Sequence, residues 1–100
     1  MIANNVMRWT IMISEMDKQI ITHCAEKYKV SSVYLFGSSL DKGGEPNDID
    51  LAVEGIRPNV FFKFYGELMR NLSKPVDLVD LSRKSLFNQI IEEKGVKIYG

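Results

Sequence analysis

The sequence predicts an α/β protein, more narrowly α+β, with a small mixed β-sheet flanked by helices. Three observations predict it. Apolar runs of strand length fall at 31–36, 48–54 and 76–80, runs with helical spacing lie between and after them, and Gly or Pro marks most junctions. Helices and strands that alternate in this way bury their apolar faces as layers on a sheet. One hundred residues with 45% hydrophobic content make a single small domain with one core, too small to enclose a large substrate by itself. The expected organisation is an N-terminal extension, 1–13, and one domain, 14–100.

Each element has its own justification. Ser14-Glu15-Met16-Asp17 resembles a capping box with Asp in place of Glu, and Met16, Ile20, Cys24 and Tyr28 follow at four-residue spacing; a helix over 15–29 is predicted. The first strand, 31–36, holds Val33-Tyr34-Leu35-Phe36. A short helix over 38–42 and a turn with Gly43, Gly44, Pro46 and Asn47 lead to the second strand, 48–54. Gly55 and Pro58 precede a helix over 59–72, striped by Val60, Phe61, Phe64, Leu68 and Leu72. Pro75 admits the third strand, 76–80. Ser82 is the expected cap of a last helix, 83–94, with Leu86, Ile90 and Ile91 inward, and Gly95 ends it before Val96-Lys97-Ile98-Tyr99. For residues 1–13, which hold Met1, Met7 and Met12, two readings stand equal: a later start of translation, or an arm that is flexible or contacts a partner.

The stretch Phe36 to Val53 carries most of the chemistry. Residues i and i+2 of a strand share a face, so Asp48 and Asp50 present two carboxylates side by side while Ile49, Leu51 and Val53 face a core. Two anions so close repel unless a cation neutralises them, and hard oxygen ligands at this spacing suit Mg²⁺ or Mn²⁺ bound with substrate phosphates. Gly37-Ser38 follows the first strand and opens the expected short helix, whose free N–H groups favour a phosphate. Val76-Asp77-Leu78 places a third acid in another strand; alternation sends Asp80 to the opposite face, as a cap or a solvated group.

At these residues the chain resembles the minimal nucleotidyltransferases of the DNA polymerase beta superfamily: an apolar strand ending in Gly-Ser, a gap of about ten residues, Asp-apolar-Asp, and a later acid between two apolar residues. The resemblance runs from about Ser14 to the end. It implies that Asp48 and Asp50 hold metal, and that Asp77 completes the site as a metal ligand and as the group that helps deprotonate the acceptor. It implies that Gly37, Ser38, Ser39 and Lys42 form the nucleotide-binding side, although many members carry Arg where this chain has Ser39. The implied cofactor is Mg²⁺ or Mn²⁺ and the implied substrate ATP or another nucleoside triphosphate. The implied activity is transfer of AMP to a hydroxyl, plausibly on a tyrosine of a HEPN-type toxin partner, with the chain as antitoxin. A homo-oligomer, a contact-only antitoxin without turnover, and a transferase acting on a small molecule are the alternatives.

Composition excludes other classes. Formal net charge is zero, with no run of like charges, which argues against general nucleic-acid binding. No apolar stretch approaches membrane-spanning length. The single Cys24 allows no internal disulfide and fits a reducing cytoplasm. His23 reads as a packed or solvated group, Cys24, Phe61 and Phe64 as core, and Lys63, Arg70 and Lys74 as solvated charges; Phe62 and Tyr65 would form a functional patch only if both were exposed.

Overall fold

The computed structural model describes residues 13–37 and 48–100. The expected N-terminal extension, the short helix at 38–42 and the turn after it lie outside the described residues, apart from Ile13. Along the chain come α1 (Glu15–Lys27), β1 (Ser32–Phe36), β2 (Ile49–Glu54), α2 (Pro58–Asn71), β3 (Val76–Asp80), α3 (Leu86–Lys94) and β4 (Val96–Tyr99). The strands form one mixed sheet in the order β3-β2-β1-β4. β1 is antiparallel to β2 and β4, and β2 is parallel to β3. Parallel strands need a crossover, which α2 supplies.

The sheet has two unlike faces. On one, Val33, Leu35, Ile49, Leu51 and Val53 pack with Ile21, Cys24 and Ala25 of α1, with Phe64 and Leu68 of α2, and with Leu72 just after it. On the other, Ala52 packs with Leu81, with Ile91 of α3, and with the partly buried Tyr34, Phe36 and Val79. Alternation along β2 decides this division: Ile49, Leu51 and Val53 enter the larger core, while Asp50 and Ala52 point the other way.

Serine caps fix the starts of α1 and α3, with one displacement. Ser14 Oγ accepts from the Asp17 N–H at 3.0 Å, as the capping box requires. The last helix begins later than expected, because Ser85, not Ser82, accepts from the Asn88 N–H at 3.0 Å. Ser82 instead closes a turn, its N–H donating to Asp80 Oδ1 at 2.9 Å. Two apolar stripes are rotated relative to expectation. Met16 is 66% exposed while Ile21 is fully buried, and Leu86 and Ile90 are 74% and 48% exposed while Ile91 is buried. The Ser85 cap sets the phase of α3, and with it which of its apolar residues meets the sheet. Tyr65 also turns inward, its hydroxyl donating to the Val76 carbonyl at 3.1 Å, so exposed Phe62 does not share a patch with it.

The start of β3 is held from three directions. Buried Asp17 accepts from the Ser73 N–H at 3.0 Å and from the Ser73 hydroxyl, Tyr65 holds Val76, and the Ile49 N–H donates to the Pro75 carbonyl at 2.8 Å. A charged acceptor that satisfies two donors inside the protein is expensive to remove. Asp17→Ala should lower unfolding free energy by about 1–3 kcal/mol, and Ser73→Ala by less because the backbone bond remains; urea denaturation of both variants measures this.

Candidate active site

On the face of the sheet opposite the larger core, register lines up three side chains. Asp50 of β2 is the partner of Asp77 in parallel β3 and of Phe36 in antiparallel β1. Neighbouring strands are about 4.8 Å apart, so Asp77, Asp50 and Phe36 form a row across one level of the sheet. Asp77 is exposed and Asp50 half-buried. Asp48, also exposed, lies immediately before the first residue of β2. Asp80 is three residues beyond Asp77 and spends its carboxylate on the Ser82 turn. Ser38, Ser39 and Lys42 lie outside the described residues.

Gly37 makes the row possible. Its φ is +65°, and a Cβ there would stand 2.5 Å from Asp50 Oδ2 and 3.1 Å from Asp50 Cγ. Only glycine combines that backbone conformation with so close an approach. The acid therefore packs directly against the bare backbone that ends β1.

This donor set fits one kind of ion. Among the described residues, no three His, Cys, Asp or Glu side chains form a group that could hold a metal by themselves. Small hard cations such as Mg²⁺ are commonly bound by one or two carboxylates, with the remaining ligands from phosphates and water. Aligned carboxylates, one exposed and one half-buried, match that mode, and they do not resemble a closed structural metal site.

A second polar cluster lies in the α1–α2 layer, across the sheet from the acids. Glu67 accepts from Lys27 Nζ at 2.8 Å, from the Tyr28 hydroxyl at 2.9 Å and from the Cys24 thiol at 3.5 Å. The Lys27 hydrogen bond, then that of Tyr28, holds the Glu67 carboxyl below its ordinary range. Burial, with Glu67 adding to it, pushes the Cys24 thiol from 9.0 to about 11. Cys24 is therefore no nucleophile, as expected. Met16, Ile20, His23, Cys24 and Glu67 border a groove of about 360 Å³ here. Its chemistry is that of helix packing. Nothing in the sequence signals Glu67 as a hub, because its three donors come from the end of α1 and the residue that follows it, about 40 positions away.

A model of the polymerase beta nucleotidyltransferases matches residues 18–100. No curated protein matches at a significant level. Among solved structures, a MntA–HepT toxin–antitoxin is 25% identical with a TM-score of 0.66, covering 87% of this chain and 73% of that one. A toxin–antitoxin with AMP-PNP is 28% identical, TM-score 0.68, over 83% and 73% of the two chains. A tri-AMPylated Shewanella oneidensis HEPN toxin in complex with an MNT antitoxin gives 26%, 0.66, 86% and 71%.

Two outcomes follow from these geometries. Gly37→Ala should destabilise the chain by at least about 1–2 kcal/mol, since it meets both the left-handed backbone and the Asp50 carboxylate; thermal unfolding measures the loss. Cys24 favours its neutral form in the folded state, so its contribution is intact below pH 9.0 and disappears as pH rises toward about 11. Iodoacetamide labelling at pH 8 should be slow in the native protein and fast in urea.

Proposed function

The chain belongs to the polymerase beta nucleotidyltransferase family, and from that membership we propose that it moves AMP from ATP to a hydroxyl on a protein partner, a tyrosine of a HEPN-type toxin, and so acts as an antitoxin. The observation that carries this reading is the register of Asp50 against Asp77 with Gly37 packed on Asp50. Aligned carboxylates beside a backbone with no side chain suit a polyphosphate held through a cation. The AMP-PNP complex and the AMPylated toxin among similar structures support the donor and the acceptor class. A reducing cytoplasm, where ATP and an intracellular toxin meet, is the proposed location.

The roles distribute along the row. Asp48 and Asp50 hold the cation, and Asp77 faces the acceptor. When bound, Mg²⁺ or Mn²⁺ neutralises phosphate charge and acidifies the attacking hydroxyl. Asp77 takes up the proton as the acceptor oxygen bonds to the α-phosphorus and the bond to the bridging oxygen breaks, releasing pyrophosphate. Gly37, Ser38, Ser39 and Lys42 orient the departing phosphates for in-line displacement. One hundred residues offer little with which to enclose an acceptor, which favours a protein that brings its own hydroxyl.

The test is incubation of the purified chain with labelled ATP, Mg²⁺ and a HEPN-type toxin. Label should move to a tyrosine and a chelator should stop it. Asp50→Asn and Asp77→Asn should each reduce transfer by about a hundredfold or more with the fold retained. If both variants still neutralise the partner and no nucleotide ever appears on it, the contact-only antitoxin replaces this reading.

A further inference from the structure

Phe36 completes the row on the side of Asp50 away from Asp77. Its ring meets that of Phe87, in the first turn of α3, edge to face at 6.0 Å and 82°. Phe87 nevertheless remains 55% exposed, with Leu86 and Ile90 exposed around it. A large aromatic ring is ordinarily well buried. Here one sits partly open to solvent, one residue contact from the acid row. In a T-shaped pair, one ring contributes an edge and keeps both faces free for a third ring.

We infer that Phe36 and Phe87 form the subsite for the nucleobase of the bound nucleotide, by stacking; the inference rests on the transferase reading above. Two planar groups come to the acids during such a transfer, the base and the ring of an aromatic acceptor. The row separates them. In-line displacement puts the acceptor and the leaving pyrophosphate on opposite sides of the α-phosphorus. Asp77 is exposed on β3, an edge strand of the sheet, and among the described residues that exposure leaves room for a protein to approach. The aromatic pair lies on the other flank, continuous with Gly37, where the phosphates belong. The acceptor approaches over Asp77, and the base, carried by the ribose on the α-phosphate, is the planar group that remains for the Phe36 flank. Apolar rings read stacking area and no hydrogen-bond pattern, so the subsite holds any base, and purines better than pyrimidines.

The experiment compares ATP with inorganic tripolyphosphate, each titrated with Mg²⁺ by calorimetry into the wild-type chain, Phe87→Ala and Phe87→Tyr. Phe87→Ala should weaken ATP roughly ten- to a hundredfold, leave tripolyphosphate within about twofold, and be rescued by Phe87→Tyr, which keeps the ring. Circular dichroism checks that the exposed substitution leaves the fold intact. Unchanged ATP affinity in Phe87→Ala, or equal losses for ATP and tripolyphosphate, overturns the subsite. So does a defect confined to KM for the protein acceptor, which assigns the rings to the other substrate. The expected binding pattern in a chain that never transfers AMP upholds the subsite and overturns the transferase reading instead.

Discussion

The parallel pairing of β2 with β3 is the constraint on which the rest of the molecule depends. It puts Asp50 directly beside Asp77, an arrangement that opposes folding, since like charges on neighbouring strands repel. A sheet would not align two acids without something to impose the register. The imposing groups are on the far face, where Ile49, Leu51, Val53 and Val76 are buried with α1 and α2. Slipping the register by one residue would turn that whole set out of the core. The hydrophobic face thus decides where the carboxylates stand, and the like charges it brings together are those that the proposed cation would neutralise.

Contacts around the turn before β3 reinforce this. Asp17, Tyr65 and the Ile49 N–H each hold a different residue between Ser73 and Val76. An edge strand has a neighbour on one side only, so its position is less determined by pairing than that of β1 or β2. The three bonds compensate by fixing where β3 begins. Asp77 is the next residue along.

Much of this was legible in the sequence, and the failures have physical causes. Strand positions followed from period-two alternation, because each strand carries its own signal, whereas the meeting of Asp77 with Asp50 was implied by the family motif and needs the parallel register to be seen. The mixed sheet followed from alternating elements. The inward faces of α1 and α3 were misjudged at Met16, Leu86 and Ile90, because a short helix with apolar residues on several sides has no unique stripe. There a cap decides the phase, and Ser82 and Ser85 look alike until one is seen to bond Asn88. Whether Tyr65 is exposed was left open by the sequence, because the partner that turns it inward is a backbone carbonyl. The Glu67 cluster and the Phe36–Phe87 contact join residues 39 to 51 positions apart, and no local pattern announces them. Ser38, Ser39 and Lys42 keep the roles the motif suggested as proposals only.

The two-faced sheet described above has a consequence for how such a chain diverges. Along β2, odd-numbered residues from Ile49 to Val53 belong to the packed interior, while Asp50 faces the other way, toward the proposed site. Folding and turnover are thereby assigned to alternate letters of the same strand. A lineage can repack the interior without disturbing the acids, or replace the acids and keep the fold, because the two sets of selective pressures share a backbone but few contacts. Loss of an acid also removes a repulsion, so a descendant that abandons turnover can gain stability in the same step and persist as a purely binding protein.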